Sequence, residues 1–272
     1  MNKIPLLILH AGALQHPMER FAREFRSLFP EVEVRLESAG SRACARKLLG
    51  GYQADIIALA DPLLFDELLL PHPVQKYYIF ATDQIVITHQ TGARGSADIN
   101  PQNWTQILLR DEVSFVRSDE NLDPCGYRTL MVWQLAEKHY GVPGLYQQLN
   151  SKCTAAYVYP KSLDLGAVLQ GREADYAFQY LCTAKQYGLD YVTLPEKINL
   201  SNPRWAGLYG HATVEVEGKT PGSKTILIGE PIEFAAAVPL NAPHPKEANE
   251  FLQLTLSHTG QRILEECGLV VY

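Results

Sequence analysis

The chain has 272 residues, with 46% hydrophobic and 20% charged, a net charge of −6 and a pI near 5.8. This is an ordinary globular composition, and its acidic balance with scattered Lys and Arg excludes the basic face or arm that a nucleic-acid surface needs. The length exceeds what one compact core usually holds, so two lobes are expected.

No apolar run reaches the roughly 18 residues that a membrane helix needs. The opening run Ile4-Pro5-Leu6-Leu7-Ile8-Leu9 stops at His10-Ala11-Gly12, which is too short for a signal peptide and reads as a buried strand. Either a signal has been removed, which places the protein in the periplasm or another extracytoplasmic space, or Met1 is the true start and the protein is cytoplasmic. The five cysteines Cys44, Cys125, Cys153, Cys182 and Cys267 are odd in number and contain no CxxC, which argues against a zinc ribbon or a thioredoxin-type site. One disulfide, for instance Cys44 with Cys125, stays open.

Strands and helices alternate from the start. Residues 6–9 have strand length, and 16–29 have helical spacing with Met18, Phe21, Phe25 and Leu28 on the buried stripe. Val32, Val34 and Leu36 alternate in a strand at 31–37, followed by a helix at 41–49, a strand at 54–59, a helix at 63–70 and a strand at 79–88. A second series runs through a short helix at 103–110, a strand at 113–117 and a long helix at 126–140 closed by Gly141. It continues with a strand at 155–159, a helix at 163–170 and strands at 174–180 and 191–194. The last section predicts strands at 211–217 and 232–238, then a helix at 245–267 broken near Ser257-His258-Thr259-Gly260; the Gly/Pro/Ser-rich stretch 218–223 reads as a surface loop. The alternation implies βα crossovers, largely parallel sheets and an α/β fold class. Two series and a return segment imply a chain that crosses twice between lobes, whose cleft is a common place for a small ligand.

Three strand-to-helix junctions carry polar groups where unpaired N–H groups attract anions. The first is His10-Ala11-Gly12-Ala13-Leu14, otherwise a plain tight βα loop. The second is Ala39-Gly40-Ser41-Arg42-Ala43-Cys44, where Ser41 suits an N-cap, and Arg42 and Arg46 read as solvated or paired with Glu37 or Asp55. The third is Leu122-Asp123-Pro124-Cys125-Gly126-Tyr127-Arg128, where Asp as N-cap and Pro at the first helical position start a helix. That accounts for Asp123 and Pro124 and leaves Cys125, Gly126 and Tyr127 unexplained. There is no GxSxG, HExxH, Walker or GxGxxG motif. The histidines have no metal-ligand spacing, and His72 and His244, each between prolines or beside them, read as structural. No enzyme, no metal site and no cofactor is expected, with Asp123 and Arg128 the nearest approach to a reactive pair.

The strings His10-Ala11-Gly12, Ala39-Gly40-Ser41 with Cys44 and Arg46-Lys47, Ala54-Asp55 and Ala60-Asp61 resemble the molybdate/tungstate-binding receptors of ABC importers, nearest the archaeal tungstate-receptor branch. So do Phe80-Ala81-Thr82, Asp123-Pro124-Cys125-Gly126-Tyr127-Arg128, Pro160-Lys161, Asp175-Tyr176 and, further on, Leu194-Pro195 and Asn241-Ala242-Pro243. Asp-Pro-Cys-Gly-Tyr-Arg is the most specific piece, and the order holds over nearly the whole chain. The resemblance implies a type II periplasmic-binding-protein fold, with residues 1–83 and 203–272 in one lobe and 84–202 in the other. It implies an extracytoplasmic solute-binding protein that works by hinge closure, as a monomer, with a small oxyanion as ligand and an ABC permease as partner. The cleft residues it implies are His10, Gly12, Ala13, Ser41, Leu59, Asp123, Tyr127, Ser162 and Tyr180. Ser41 and Ser162 would be direct donors, Tyr180 a phenolic donor, and Asp123 a ligand or a cap.

The ligand shell departs from the family pattern. Ala13 and Leu59 stand where the family usually has Ser, and Ser162 where this branch has Glu. Leu59 is expected to place apolar bulk beside the dianion, and the loss of two hydroxyls and a carboxylate to weaken binding. The alternatives are a protein of the same fold that takes another small anion or metabolite, or a cytosolic ligand sensor.

Overall fold

The computed structural model describes residues 3–220 and 222–271. The chain divides into two compact units, Met1–Thr82 with Glu233–Tyr272, and Asp83–Ile232. The chain therefore passes between units at Thr82–Asp83 and returns at Ile232–Glu233.

The first unit opens with β1 (Ile4–Ala11), α1 (Gln15–Leu28), β2 (Val32–Ala39), α2 (Ser41–Leu49) and β3 (Ile56–Leu59). A π-helical turn at Phe65–Leu69 follows, where the spacing predicts an ordinary helix, and then β4 (Tyr78–Thr82). In α1 the stripe Met18, Phe21 and Phe25 is buried as the spacing predicts, but Leu28 is 57% exposed. At the last turn the stripe has drifted, and it is Phe29 whose ring stacks on Phe25 at 4.5 Å.

The second unit begins with β5 (Ile85–His89), α3 (Trp104–Leu108), β6 (Phe115–Ser118), α4 (Pro124–Tyr140) and α5 (Leu145–Lys152). It goes on through β7 (Val158–Tyr159), α6 (Ser162–Gln170), β8 (Tyr176–Tyr180), α7 (Leu181–Gln186) and β9 (Asp190–Thr193). Then come α8 (Ala206–Tyr209) and the hairpin β10 (Thr213–Glu217) and β11 (Lys224–Ile228). The chain re-enters the first unit with β12 (Glu233–Ala237), α9 (Pro245–Leu256) and α10 (His258–Glu266).

The strand predicted at 79–88 is two strands, β4 in one sheet and β5 in the other. Asp83 causes the break: its carboxylate accepts from its neighbour Gln84 N at 2.7 Å and from Cys182 N at 3.1 Å, taking backbone donors away from a strand ladder. The segment 203–232, expected with the first lobe, lies in the second unit. Its hairpin is fastened to α4, where Gln134 both donates to Thr213 O (2.8 Å) and accepts from Thr213 N (3.0 Å). The strand β11, the short α5 and α7, and the 3-10 turn Ala155–Tyr157 at the place of a predicted strand are further differences.

Each unit holds a five-stranded sheet, in the orders β2-β1-β3-β12-β4 and β7-β6-β8-β5-β9. Both are mixed, which corrects the expectation of largely parallel sheets. In the first, β1 runs parallel to β2 and β3, and β12 runs antiparallel to β3 and β4. In the second, β6 is parallel to β7 and β8, and β5 antiparallel to β8 and β9. The helical crossovers give the parallel pairs, whereas β12 arrives by the return segment with no crossover helix within its own unit.

Both sheets are covered on two faces. In the first, Phe21 and Phe25 of α1 meet Phe251 of α9 at 6.1 and 5.2 Å between ring centroids. A second core joins Leu9, Ile57 and Leu59 to Cys44, Ala45 and Leu48 of α2 and to Phe65 and Leu68 of the π-helical turn. In the second unit, Trp104, Phe115, Trp133 and Phe178 form a chain of edge-to-face rings 5.4–6.1 Å apart. Leu165 and Leu169 of α6 pack with Val116 and Ala177. No helix among the described residues is long and apolar enough to cross a membrane.

Candidate functional site

The first unit gathers the end of β1, the start of α2 and the end of β3. His10 is fully buried, its Nδ1 lies 2.8 Å from the carbonyl of Ala11, and its Nε2 meets no hydrogen-bonding group. Burial pushes this imidazole below its ordinary pKa, so it sits neutral, with Nδ1–H donating and Nε2 bare. Gly12 and Ala13 follow in a buried 3-10 turn, Gly12–Leu14.

Ser41 is the first residue of α2, and the N-cap is Gly40, which corrects the reading of Ser41 as the cap. Its buried Oγ instead accepts from Ala60 N at 3.0 Å, which pins the start of α2 to the end of β3. Cys44 Sγ donates to His10 O at 3.5 Å, one turn further on. The helix start is thus fastened to β1 and β3 together. Because Ser41 Oγ takes an N–H, its own proton is directed elsewhere, as a donor.

Leu59 is fully buried among Leu9, Ile57, Leu48 and Phe65. Its side chain belongs to the core under α2. Arg42 is likewise fully buried rather than solvated, with Nη1 3.7 Å from Glu67 Oε2. Glu37 pairs with Lys47, and Asp55 accepts from Leu7 N and His244 N.

In the second unit, Asp123 caps α4 by accepting from Cys125 N at 2.8 Å. Its other oxygen accepts from Ser162 N at 3.0 Å and Ser162 Oγ at 3.2 Å. One buried carboxylate therefore joins the N-termini of α4 and α6, and of the two roles expected for Asp123 the structure shows the cap. Burial pushes its pKa up, against the N–H donors of Ser162 and Cys125 that favour the charged form. The hydroxyl of Ser162 is engaged with Asp123, and its carbonyl accepts from Gln179 Nε2 at 3.0 Å.

Gly126 is explained by space. A Cβ there would stand 2.5 Å from Ser118 O and 2.6 Å from Asp119 C, so α4 starts hard against the backbone after β6. Tyr127 is buried beside Arg128, whose guanidinium carbon lies 6.0 Å from its ring centroid. Arg128 Nη1 donates to Tyr180 Oη at 2.8 Å, and both side chains are buried. Burial pushes the Tyr180 phenol well up, and the Arg128 charge opposes that.

The structure thus groups His10, Gly12, Ala13 and Ser41 in one unit, and Asp123, Tyr127, Ser162 and Tyr180 in the other. Leu59 falls outside the first group. Sequence reasoning missed Gln179, whose signal was a polar residue in the apolar run 174–180, and Asp83, hidden in a predicted strand. Cys44 and Cys125 belong to different units and each donates its thiol to a carbonyl, His10 O and Phe178 O, and no disulfide occurs among the five cysteines.

The profile of the family described as "Bacterial extracellular solute-binding protein" matches residues 6–270. An uncharacterized solute-binding protein of Petrotoga mobilis is 40% identical over 264 residues, which covers 97% of this chain and 82% of that protein. The molybdate/tungstate-binding protein WtpA of Pyrococcus abyssi is 35% identical over 289 residues, 96% of this chain and 83% of that protein. The periplasmic molybdate-binding protein of Azotobacter vinelandii superposes with a TM-score of 0.68 at 15% identity, covering 98% of this chain and 99% of that one. At that identity the likeness is one of fold, the two-lobed α/β fold of periplasmic binding proteins. The chain belongs to the bacterial extracellular solute-binding protein family.

Proposed function

We propose that this chain is the solute-binding component of an ABC importer, that it works outside the cytoplasm with a membrane permease, and that its solute is a tetrahedral oxyanion of the molybdate/tungstate type. The observation that carries this reading is the buried hydroxyl of Ser41 at the start of α2, whose oxygen already accepts from Ala60 N at 3.0 Å. That hydroxyl then has its own proton to give, and an oxyanion without protons is all acceptor. The 35% identity to a molybdate/tungstate-binding protein along 96% of the chain supports the same class.

The chemistry is binding. Asp123 and Ser162 are occupied with one another as cap and clamp. Asp123 has both oxygens engaged by three donors, which favours an oxyanion held in four-coordinate form by hydrogen bonds over one whose metal gains a carboxylate ligand. Ala13 contributes only its backbone to such a site.

The test is a thermal-shift and calorimetric comparison of tungstate, molybdate, sulfate and phosphate. Ligand at 100 times its Kd stabilises by about 2.7 kcal/mol, so binding of tungstate or molybdate gives a clear shift. Ser41→Ala should lower that affinity by about 10- to 100-fold, the value of one hydrogen bond to a charged group. A shift with sulfate or phosphate alone moves the assignment to another oxyanion, and no shift with any of the four removes it.

A further inference from the structure

His10 uses one edge of its ring and leaves the other bare. The side chain is fully buried, Nδ1 lies 2.8 Å from the carbonyl of Ala11, and Nε2 has no hydrogen-bonding partner. A carbonyl oxygen only accepts, so Nδ1 carries the proton and Nε2 is a lone-pair acceptor at the far edge of the ring. A buried acceptor without a donor is costly, and a hydrocarbon side chain would fill the same space without that cost. His10 stands two residues before Gly12, and its carbonyl accepts from the thiol of Cys44, three residues past Ser41. It is thus stitched to the start of α2, in the group that holds Gly12, Ala13 and Ser41. The charged side chain that acts on the ring is Glu19 of α1. From α2 comes the Cys44 thiol, while the guanidinium of Arg42 lies by Glu67. The register partners of His10 on β2 and β3 are Ser38 and Ala58, neither of which titrates.

A fully deprotonated oxyanion offers only acceptors, and so does a bare Nε2. The two cannot pair unless the ring takes a proton. Burial keeps the imidazole neutral, but an opposite charge within about 4–6 Å favours the protonated ring by about 10- to 1000-fold. We propose that oxyanion binding at the start of α2 is coupled to the uptake of one proton at His10 Nε2, which turns from a bare acceptor into a donor toward the anion. The proton comes from the buffer and adds to the Nε2 lone pair; Nδ1–H stays on Ala11 O, and no bond between heavy atoms changes. This rests on the oxyanion reading above. Linkage fixes the sign. Affinity rises as pH falls, by up to about tenfold per pH unit, between the pKa of His10 in the free protein, which burial holds below its ordinary value, and its higher pKa in the complex.

The test is calorimetry of tungstate, or of sulfate where that is the anion bound, on wild type and His10→Asn. Each is measured in buffers of low and high ionisation enthalpy from about pH 6 to about pH 8.5. Asn keeps an N–H for Ala11 O and does not titrate. In wild type the apparent binding enthalpy should vary with the buffer, with a slope that reaches about one proton taken up, and Kd should weaken by up to about tenfold per pH unit over the same window. His10→Asn should bind more weakly at the acid end, with no buffer dependence and a flat Kd. Equal uptake in the two proteins assigns the proton to another group and overturns the proposal. If His10→Asn does not fold, the nitrogen NMR spectrum of the histidine rings in wild type decides. The buried, bonded Nδ1–H of His10 exchanges slowly, which picks out its ring; the anion should convert that ring to imidazolium, and a ring that stays neutral overturns the proposal. If the wild type binds the anion without proton uptake, the His10 assignment alone falls; if the wild type binds no oxyanion, the oxyanion reading falls and takes this one with it.

Discussion

Asp123 and Ser162 are 39 residues apart and are joined twice, Ser162 donating its backbone N–H at 3.0 Å and its hydroxyl at 3.2 Å to the same carboxylate oxygen. The other oxygen of Asp123 caps α4 through Cys125 N. The carboxylate is thus the fastener between two helix starts, and the positive ends of both helices are directed at it.

Asp123→Ala removes that fastener. An N-cap is worth about 1 kcal/mol, and buried donors left unmet cost about 1–3 kcal/mol more, so a loss of about 2–4 kcal/mol is expected in urea unfolding. Asp123→Asn keeps one acceptor oxygen and should lose about half as much. Equal stability of Asp123→Ala and wild type would show that water replaces the carboxylate without penalty.

Leu59 gives a sharper separation between fold and ligand. The family pattern has Ser at this position, and restoring it would be the natural way to restore a ligand hydroxyl. Yet Leu59 lies in the core with Ile57, Leu48 and Phe65. Leu59→Ser should therefore cost about 2–5 kcal/mol of stability, as large-to-small core changes do, and leave the tungstate Kd within about twofold where the variant is folded. A gain in affinity of tenfold or more would place the side chain at the ligand after all.

Gly126 is a test of space alone. Alanine there would bring Cβ to 2.5 Å from Ser118 O, and the obstacle is backbone, which cannot swing aside as a side chain can. Gly126→Ala should destabilise by about 1–3 kcal/mol through overpacking, despite the better helix propensity of Ala. A neutral or stabilising change in the urea midpoint would mean that α4 shifts freely against β6.

The α/β alternation and the cap signals at Asp123 and Gly141 were legible because they rest on local periodicity and local chemistry. Gly141 ends α4 in the left-handed conformation, with φ of 64°, as a Gly after a helical run predicts. What escaped was set by distant partners. Nothing in the alternation of residues 79–88 marks the break at Asp83, because the break depends on Cys182 N, 99 residues away. The burial of Arg42 depends on Glu67, and the direction of Leu59 on the π-helical turn that packs over it. The site residues were found through the resemblance of short strings, which placed them by position along the chain and could not say which way each side chain faces. Leu59 and Ser162 show the difference: the resemblance puts both at ligand positions, and one packs in the core while the other is engaged with Asp123.

Asp83 provides a pH test of the segment where the chain passes between units. Its carboxyl is buried and accepts from Gln84 N and Cys182 N. Burial outweighs those bonds and pushes its pKa from 3.8 to about 6. The folded pKa is raised, so the folded state holds a proton that the unfolded chain has lost, and stability falls as pH rises between the two values. Below about pH 4 both states are protonated and the group adds no pH dependence; above about pH 6 the full penalty, about 3 kcal/mol for a shift of this size, is in place. Asn cannot ionise, so the stability of wild type relative to Asp83→Asn should decline from about pH 4 to about pH 6 and then level off. Urea unfolding at half-unit pH steps on both proteins reads this difference directly and cancels the titration of every carboxylate they share. Parallel curves across that window would show that Asp83 ionises in the folded protein as readily as in the unfolded chain, its N–H donors then compensating burial in full.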